Sequence, residues 1–167
     1  VIINIGKALD VMDYLKKTNM RDYLLFALCF ETGMVLDEVL SLKVSGLRNK
    51  SSLMISNIEV KLRRELREEI KTYCKDKEKN EYVFQSSDGF NQKLGKKRAI
   101  LILAEAVGLY GIEDFGVDTL RKSFGYLFYL STRNLELLKQ LFGHTEEYDT
   151  LKYIELKGVI DENSISD

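Results

Sequence analysis

The 167-residue chain contains no proline, a single histidine and only two cysteines. Two cysteines cannot build a disulfide-dense framework. Cys29 and Cys74 also lie far apart, with no Cys/His ligand spacing, so neither a bound metal nor a cofactor is expected. Cys29 falls inside the apolar run from Leu24 to Phe30, where a small buried hydrophobe is the ordinary role. No apolar run approaches the ~18 residues that mark a membrane span. No signal peptide is visible. A reduced, cytoplasmic setting without a membrane partner is therefore expected. Internal repeats and low-complexity linkers are absent too, so nothing divides the chain.

What is present is ordinary in bulk. Hydrophobic residues make up 45% and charged residues 31%, the balance of a soluble globular protein. The length suits one domain with a real core. That domain is expected over residues 1–160, with 161–167 as a flexible tail. Val1 stands where a methionine would begin a chain, and the expectation is a piece of something longer. Net charge is −1, which points to no partner by itself. Its distribution says more. Residues 1–60 carry seven basic and seven acidic groups, residues 61–98 carry twelve and seven, and residues 99–167 carry six and twelve. A basic middle segment is where phosphate contacts belong, although charge runs commonly do no more than solvate a surface.

The hydrophobic periodicity predicts a mainly helical protein around a small antiparallel sheet. Ile5 to Thr18 carries Ile5, Leu9, Met12 and Leu15 at helical spacing, with Ala8 and Val11 beside them. Arg21 to Thr32 is a strongly apolar helix, and Gly33 suits its C-terminal cap. Asp37 is placed to cap a short helix running to Leu42. Leu53-Met-Ile55 and Ile58 to Leu62 read as strands joined by a Ser56-Asn57 turn. Arg63 to Lys75 reads as a charged surface helix, and Tyr82-Val-Phe84 as a third strand. Further helices are expected over Asn91–Val107, Val117–Leu130, Asn134–Phe142 and Glu146–Leu156.

Three side chains combine into a chemistry. Arg121, His144 and Tyr153 stand in Asp118-Thr-Leu-Arg121 and Leu141-Phe-Gly-His144, with Tyr153 nine residues further on. A guanidinium binds anions, an imidazole moves protons, and a phenol can be a nucleophile. Together with other short matches, these boxes make the chain resemble the catalytic domain of the tyrosine recombinase (phage integrase) family. Thr32-Gly-Met-Val-Leu-Asp-Glu-Val-Leu-Ser-Leu-Lys43 resembles that family's Thr-Gly-x-Arg-x-x-Glu-Leu…Leu-Lys pattern. Val60-Lys-Leu62 resembles its Val-Pro-Leu hairpin exit, and Tyr82-Val-Phe-Gln-Ser86 its Tyr-Leu-Phe-Pro-Ser strand. Thr119-Leu-Arg121 falls in the His-x-Leu-Arg box, and Leu141-Phe-Gly-His144 in the Leu-Leu-Gly-His box. Tyr153 stands at the nucleophile's place. The order and spacing of the matches cover nearly the whole chain. The family's separate N-terminal DNA-clamping domain has no counterpart in it.

The resemblance implies a tyrosine that attacks a DNA phosphodiester and forms a covalent 3′-phosphotyrosine. It implies two arginines on the non-bridging oxygens, a hairpin lysine that protonates the leaving oxygen, and histidine-type residues that assist proton movement. This chain departs from that set at three positions. Val35 replaces the first arginine. The Ser56-Asn57 turn carries no lysine. Asp118 replaces the residue that opens the His-x-x-Arg box, where a carboxylate repels phosphate, caps the helix or pairs with Arg121. Arg121, His144 and Tyr153 are thus the retained catalytic positions. Each also has a plain alternative: an ion pair with Asp118, a helix end closed after Gly143, and packing beside Leu151, Ile154 and Leu156.

For DNA contact the candidates are Arg63, Arg64, Arg67, Lys93, Lys96, Lys97, Arg98, Arg121 and Lys122. Contacts of this kind set affinity and salt dependence rather than sequence choice. The combined expectation is a double-stranded DNA-binding domain, catalytically degenerate, of the kind found in integrase-like phage or mobile-element repressors. The alternatives are an active site-specific recombinase and a module that assembles with further copies through its C-terminal segment.

Overall fold

The computed structural model describes residues 1–156; the expected domain end at 160 and the tail at 161–167 lie outside them. Nine helices and one two-stranded sheet follow in order among the described residues. Helix α1 is Ile5–Thr18, with the Asn4 side chain accepting the Lys7 N–H. Asn19 closes α1 through its own N–H and opens α2 (Met20–Thr32) by accepting the Asp22 N–H with its side chain. One residue thus satisfies the end of one helix and the start of the next, which fixes a sharp corner.

Helix α2 is the centre of the molecule. It is buried from Asp22 through Phe30 and contacts α1, α3, α5, α6 and α7. A helix apolar on every side can only sit inside. Gly33 ends it in the left-handed region at φ 73°, as expected from the sequence. A second constraint acts there: a Cβ on Gly33 would lie 2.3 Å from the Phe124 ring. Helix α1 departs from the expectation in one respect. It buries Ala8, Val11, Met12 and Leu15, while Ile5 and Leu9 face outward and are half exposed. Two apolar stripes compete on this helix, and only the one against α2 is covered.

Helices α3 (Leu36–Leu40) and α4 (Val44–Leu47) lead into the hairpin. Strand β1 (Ser52–Ile55) pairs antiparallel with β2 (Ile58–Lys61), with Ile55 opposite Ile58. Ser56 and Asn57 both take positive φ, 50° and 63°, the backbone of a two-residue turn that matches strand twist. Three expectations need correction. Asp37 does not cap α3; Val35 occupies that position, without a side-chain bond. The segment Tyr82–Phe84 is not a third strand. It is bridged at Tyr82 to Lys43, Val83 donates to the Leu42 carbonyl and Phe84 accepts from the Leu94 N–H, but these neighbours run alongside too briefly to form a ladder. The helix expected from Asn91 begins at Lys96 instead. Asn91 adopts φ 51° and its side chain accepts the Tyr82 N–H, which holds the preceding residues in a loop.

The remaining elements are α5 (Arg64–Tyr73), α6 (Lys96–Gly108), α7 (Thr119–Thr132), α8 (Leu135–Phe142) and α9 (Glu147–Tyr153). Asn134 caps α8 through the Leu137 N–H, and Gly143 closes it at φ 71°. Helices α8 and α9 fold back onto α7 because Gly125 lets them approach. A Cβ there would meet Phe142 at 2.6 Å and Ile154 at 2.8 Å. This close approach brings Arg121, His144 and Tyr153 together.

Candidate active site

Arg121 lies in the first turn of α7. Its Nε donates to the Gly33 carbonyl at 3.0 Å and a terminal nitrogen to the Leu141 carbonyl at 3.5 Å. Its guanidinium carbon stands 4.6 Å over the Phe142 ring. None of the ion pairs among the described residues involves it. Carbonyls and an aromatic face orient a guanidinium without neutralising it. The result is a fixed cation with donors left for an anion.

The C-terminal end of α8 and helix α9 supply the other two groups. His144 follows the Gly143 cap, and its Nδ1 lies 2.9 Å from the buried Thr150 hydroxyl. Its ring meets those of Phe142 and Tyr153 edge-on, at 5.7 and 5.4 Å between centroids. Burial, reinforced by the Arg121 charge and opposed by Asp149, holds the imidazole below its ordinary value. This favours the neutral ring. Tyr153 ends α9 half buried, edge-on to Phe142 at 5.1 Å, with Lys122 Nζ 5.3 Å from its ring centroid. Its phenol is pushed up to about 12, first by burial and then by the Asp118 charge, against the opposing pull of Arg121.

Asp118 therefore does something the sequence did not suggest. It heads α7 in a helical backbone conformation and makes no side-chain cap bond, nor does it form an ion pair with Arg121. Its charge bears on the Tyr153 phenol instead, raising it. Val35 is half buried and lies two residues beyond the carbonyl that holds Arg121. Its place in the chain is right for a second guanidinium, but an isopropyl group can make no bond to phosphate. The hairpin also reaches this region. Ser56 Oγ donates at 3.0 Å to the Leu141 carbonyl, the same oxygen that Arg121 approaches. No sequence signal marks this contact, because Ser56 and Leu141 are 85 residues apart and a serine in a turn is unremarkable.

The basic candidates separate into groups. Arg63 is clamped by Glu31, at 2.8 and 3.2 Å, and reaches the Tyr23 hydroxyl at 3.4 Å. This pairing raises its guanidinium further above the ordinary value and fastens the joint between α2 and α5. Arg64 and Arg67 are exposed on α5. Lys93 donates to the Ser41 hydroxyl and Lys96 pairs with Asp37, each at 3.0 Å, so the entry to α6 grips α3. Lys97 and Arg98 are exposed beside them, while Lys122 is half buried at Tyr153. Among the described residues no cluster of His, Cys, Asp or Glu is arranged to hold a metal. Cys29 and Cys74 are buried, with thiols pushed up by burial, Cys29 to about 12. Among the described residues no helix is long and apolar enough to cross a membrane.

The whole arrangement is the catalytic-domain fold of the tyrosine recombinases. A structure of XerA recombinase matches 92% of this chain with a TM-score of 0.78 at 17% identity. XerH site-specific recombinase bound to difH substrate in a pre-cleavage complex matches 91% at 0.74 and 22% identity. A lambda integrase dimer bound to a COC′ core site matches 94% at 0.66 and 14% identity. The chain spans 58%, 49% and 48% of those three proteins. The chain belongs to the phage integrase family, whose model matches residues 4–158. A Bacillus subtilis (strain 168) relative named "Probable integrase/recombinase YoeC" is 33% identical over 159 residues, covering 92% of this chain and 87% of that protein.

Proposed function

We propose that this domain binds double-stranded DNA and is catalytically degenerate, acting as a regulator of the phage or mobile-element repressor kind. The observation that carries DNA binding is the state of Arg121. It is a cation held rigid by two carbonyls and a ring face, with no ion-pair partner among the described residues. Such a group fits a backbone phosphate. The DNA complexes of XerH recombinase and lambda integrase, which share the fold, support the same reading. Lys93, Lys96, Lys97 and Arg98 extend the cationic surface at the entry to α6.

Degeneracy rests on three side chains. Val35 removes one guanidinium, the Ser56-Asn57 turn has no proton-donating lysine, and Asp118 replaces a phosphate-compatible group with a carboxylate. Loss of one preorganised donor costs roughly 10²–10³ in rate. The losses need not multiply, because such groups act as a unit. The phenol adds to the deficit: burial and the Asp118 charge push it up to about 12, so its proton is harder to remove than that of an ordinary tyrosine. The experiment is a nicked suicide duplex incubated with the protein beside a binding titration. Salt-sensitive binding without a covalent adduct is the expected result. An adduct on Tyr153 that disappears in Tyr153→Phe sinks the degenerate reading.

A second reading, an active recombinase, has one specific observation in its favour. The charges of Asp118 and Arg121 both bear on the phenol, in opposite senses, and His144 lies against the same ring. A carboxylate there could accept the phenolic proton as the tyrosine attacks phosphorus. On that reading Asp118→Asn abolishes the adduct; on the degenerate reading no adduct forms in either protein.

A further inference from the structure

Phe90 is 81% exposed, more than any other large hydrophobic residue among those described. Isolated apolar residues on a surface are common and need no explanation. Three features set this one apart. The first is the loop that carries it. Gln85 and Lys93 form an antiparallel bridge, and Leu94 donates to the Phe84 carbonyl at 3.0 Å. Ser86 donates to the Gln92 carbonyl at 2.7 Å. Asn91 then locks the neck: its N–H donates to Gln85 Oε1 at 3.2 Å and its side chain accepts the Tyr82 N–H at 2.8 Å. A pinned neck with an exposed ring at its tip presents that ring at low entropic cost.

The second feature is charge. Lys93, Lys96, Lys97 and Arg98 follow directly and are all exposed. The third is the link to the candidate phosphate site. Lys93 and Lys96 fasten this region to Ser41 and Asp37. Those residues lie at most eight positions past Gly33, whose carbonyl orients Arg121. Eight residues span at most roughly 28 Å, less than one turn of B-DNA, ~34 Å. Both anchor points of the loop region, Asp37 and Ser41, therefore lie within one helical turn of the carbonyl that orients Arg121.

We infer that Phe90 is an apolar wedge for double-stranded DNA, placed against a base step within one helical turn of the phosphate at Arg121. The inference rests on the DNA-binding reading above. A phenyl ring offers no hydrogen bond to a base edge, so it distinguishes sequences through how readily a step unstacks. TA and CA/TG steps yield most easily. The ring would thus add sequence preference to a surface whose lysines contribute affinity alone.

The test uses the whole chain and two end-labelled duplexes, one with a single TA step and one entirely G·C. Phe90→Ala is expected to weaken binding to the TA duplex about tenfold and to remove the preference over the G·C duplex. It should also reduce the bend read by end-to-end energy transfer. The slope of log affinity against log salt should stay unchanged, since no phosphate contact is lost. Phe90→Leu keeps an apolar wedge and should retain most of the bend. Wild-type binding that is matched by Phe90→Ala in affinity, bend and step preference overturns the inference while leaving the site reading intact. So does a concentration-dependent dimer that Phe90→Ala dissolves with DNA affinity unaltered, which makes the ring a protein contact. If the wild type binds neither duplex, the DNA-binding reading fails along with it.

Discussion

Arg121 is held by two main-chain carbonyls and by no carboxylate, and this determines how it should respond to substitution. Lysine keeps the charge but cannot hold two carbonyls and an anion with a planar fork. Arg121→Lys and Arg121→Gln should both lower duplex affinity, by ten- to a hundredfold at low salt for loss of a charged hydrogen bond of roughly 1.5–3 kcal/mol. Only Arg121→Gln should also flatten the salt slope by about one phosphate. His144, the chain's single histidine, provides an internal probe by proton NMR. Its titration midpoint should lie below the ordinary imidazole value, because burial and Arg121 both disfavour the charged ring. Arg121→Gln should move the midpoint up, and so should bound duplex, by bringing phosphate charge near. The folded state binds fewer protons than the unfolded chain in that window. The His144 contribution to stability is therefore complete above the unfolded value and lost as pH falls through the folded one. At this scale the sequence pointed to three side chains that do lie near one another: Arg121 on α7, His144 just past the Gly143 cap of α8, and Tyr153 at the end of α9. Asp118 was legible as a substitution but not as a charge that raises the phenol, since local pattern does not show which distant side chain a carboxylate comes near.

The elements that gather those residues depend on close backbone approach rather than on side-chain pairing. Gly125 is the clearest case. Alanine there would gain up to ~1 kcal/mol in helix propensity. It would also drive a methyl into Phe142 and Ile154, at 2.6 and 2.8 Å, an overpacking cost of ~1–3 kcal/mol. Gly125→Ala should therefore lower the denaturation midpoint at unchanged slope, and, by pushing α8 and α9 off α7, weaken DNA binding as well. The hairpin turn was readable because Ser56-Asn57 separates two alternating runs. The third strand was not, because a short apolar run looks the same whether it pairs in a sheet or passes singly through a core, and Val83 and Phe84 do the latter. The helix read from Asn91 failed for a different reason. Its residues have adequate helical propensity, but Asn91 is engaged by Tyr82 and Gln85 from outside the segment, and such tertiary bonds leave no local trace. Helix α1 shows the reverse limit: periodicity detected the helix with accurate ends and could not choose between two apolar stripes.

Across the whole molecule, the basic middle of the sequence turns out to be two things. Arg63 belongs to the framework and, at the entry to α6, Lys97 belongs to the surface. Arg63→Ala should cost about 1 kcal/mol of stability, as expected for a partly exposed pair held bidentately. Lys97→Ala should leave the melting temperature unchanged and reduce duplex affinity in a salt-dependent way. Measuring both properties on both variants separates a structural cation from a binding one, which charge counts along a sequence cannot do. The architecture itself was legible because the motifs recur in a fixed order along the chain, even where individual residues have changed. A final consequence concerns what substitution can erase. The two hydrogen bonds that aim Arg121 come from the main-chain carbonyls of Gly33 and Leu141, and every amino acid carries a carbonyl. Substitution at positions 35, 56, 57 or 118 therefore leaves the mounting of Arg121 in place, because the groups that aim it belong to the main chain of other residues.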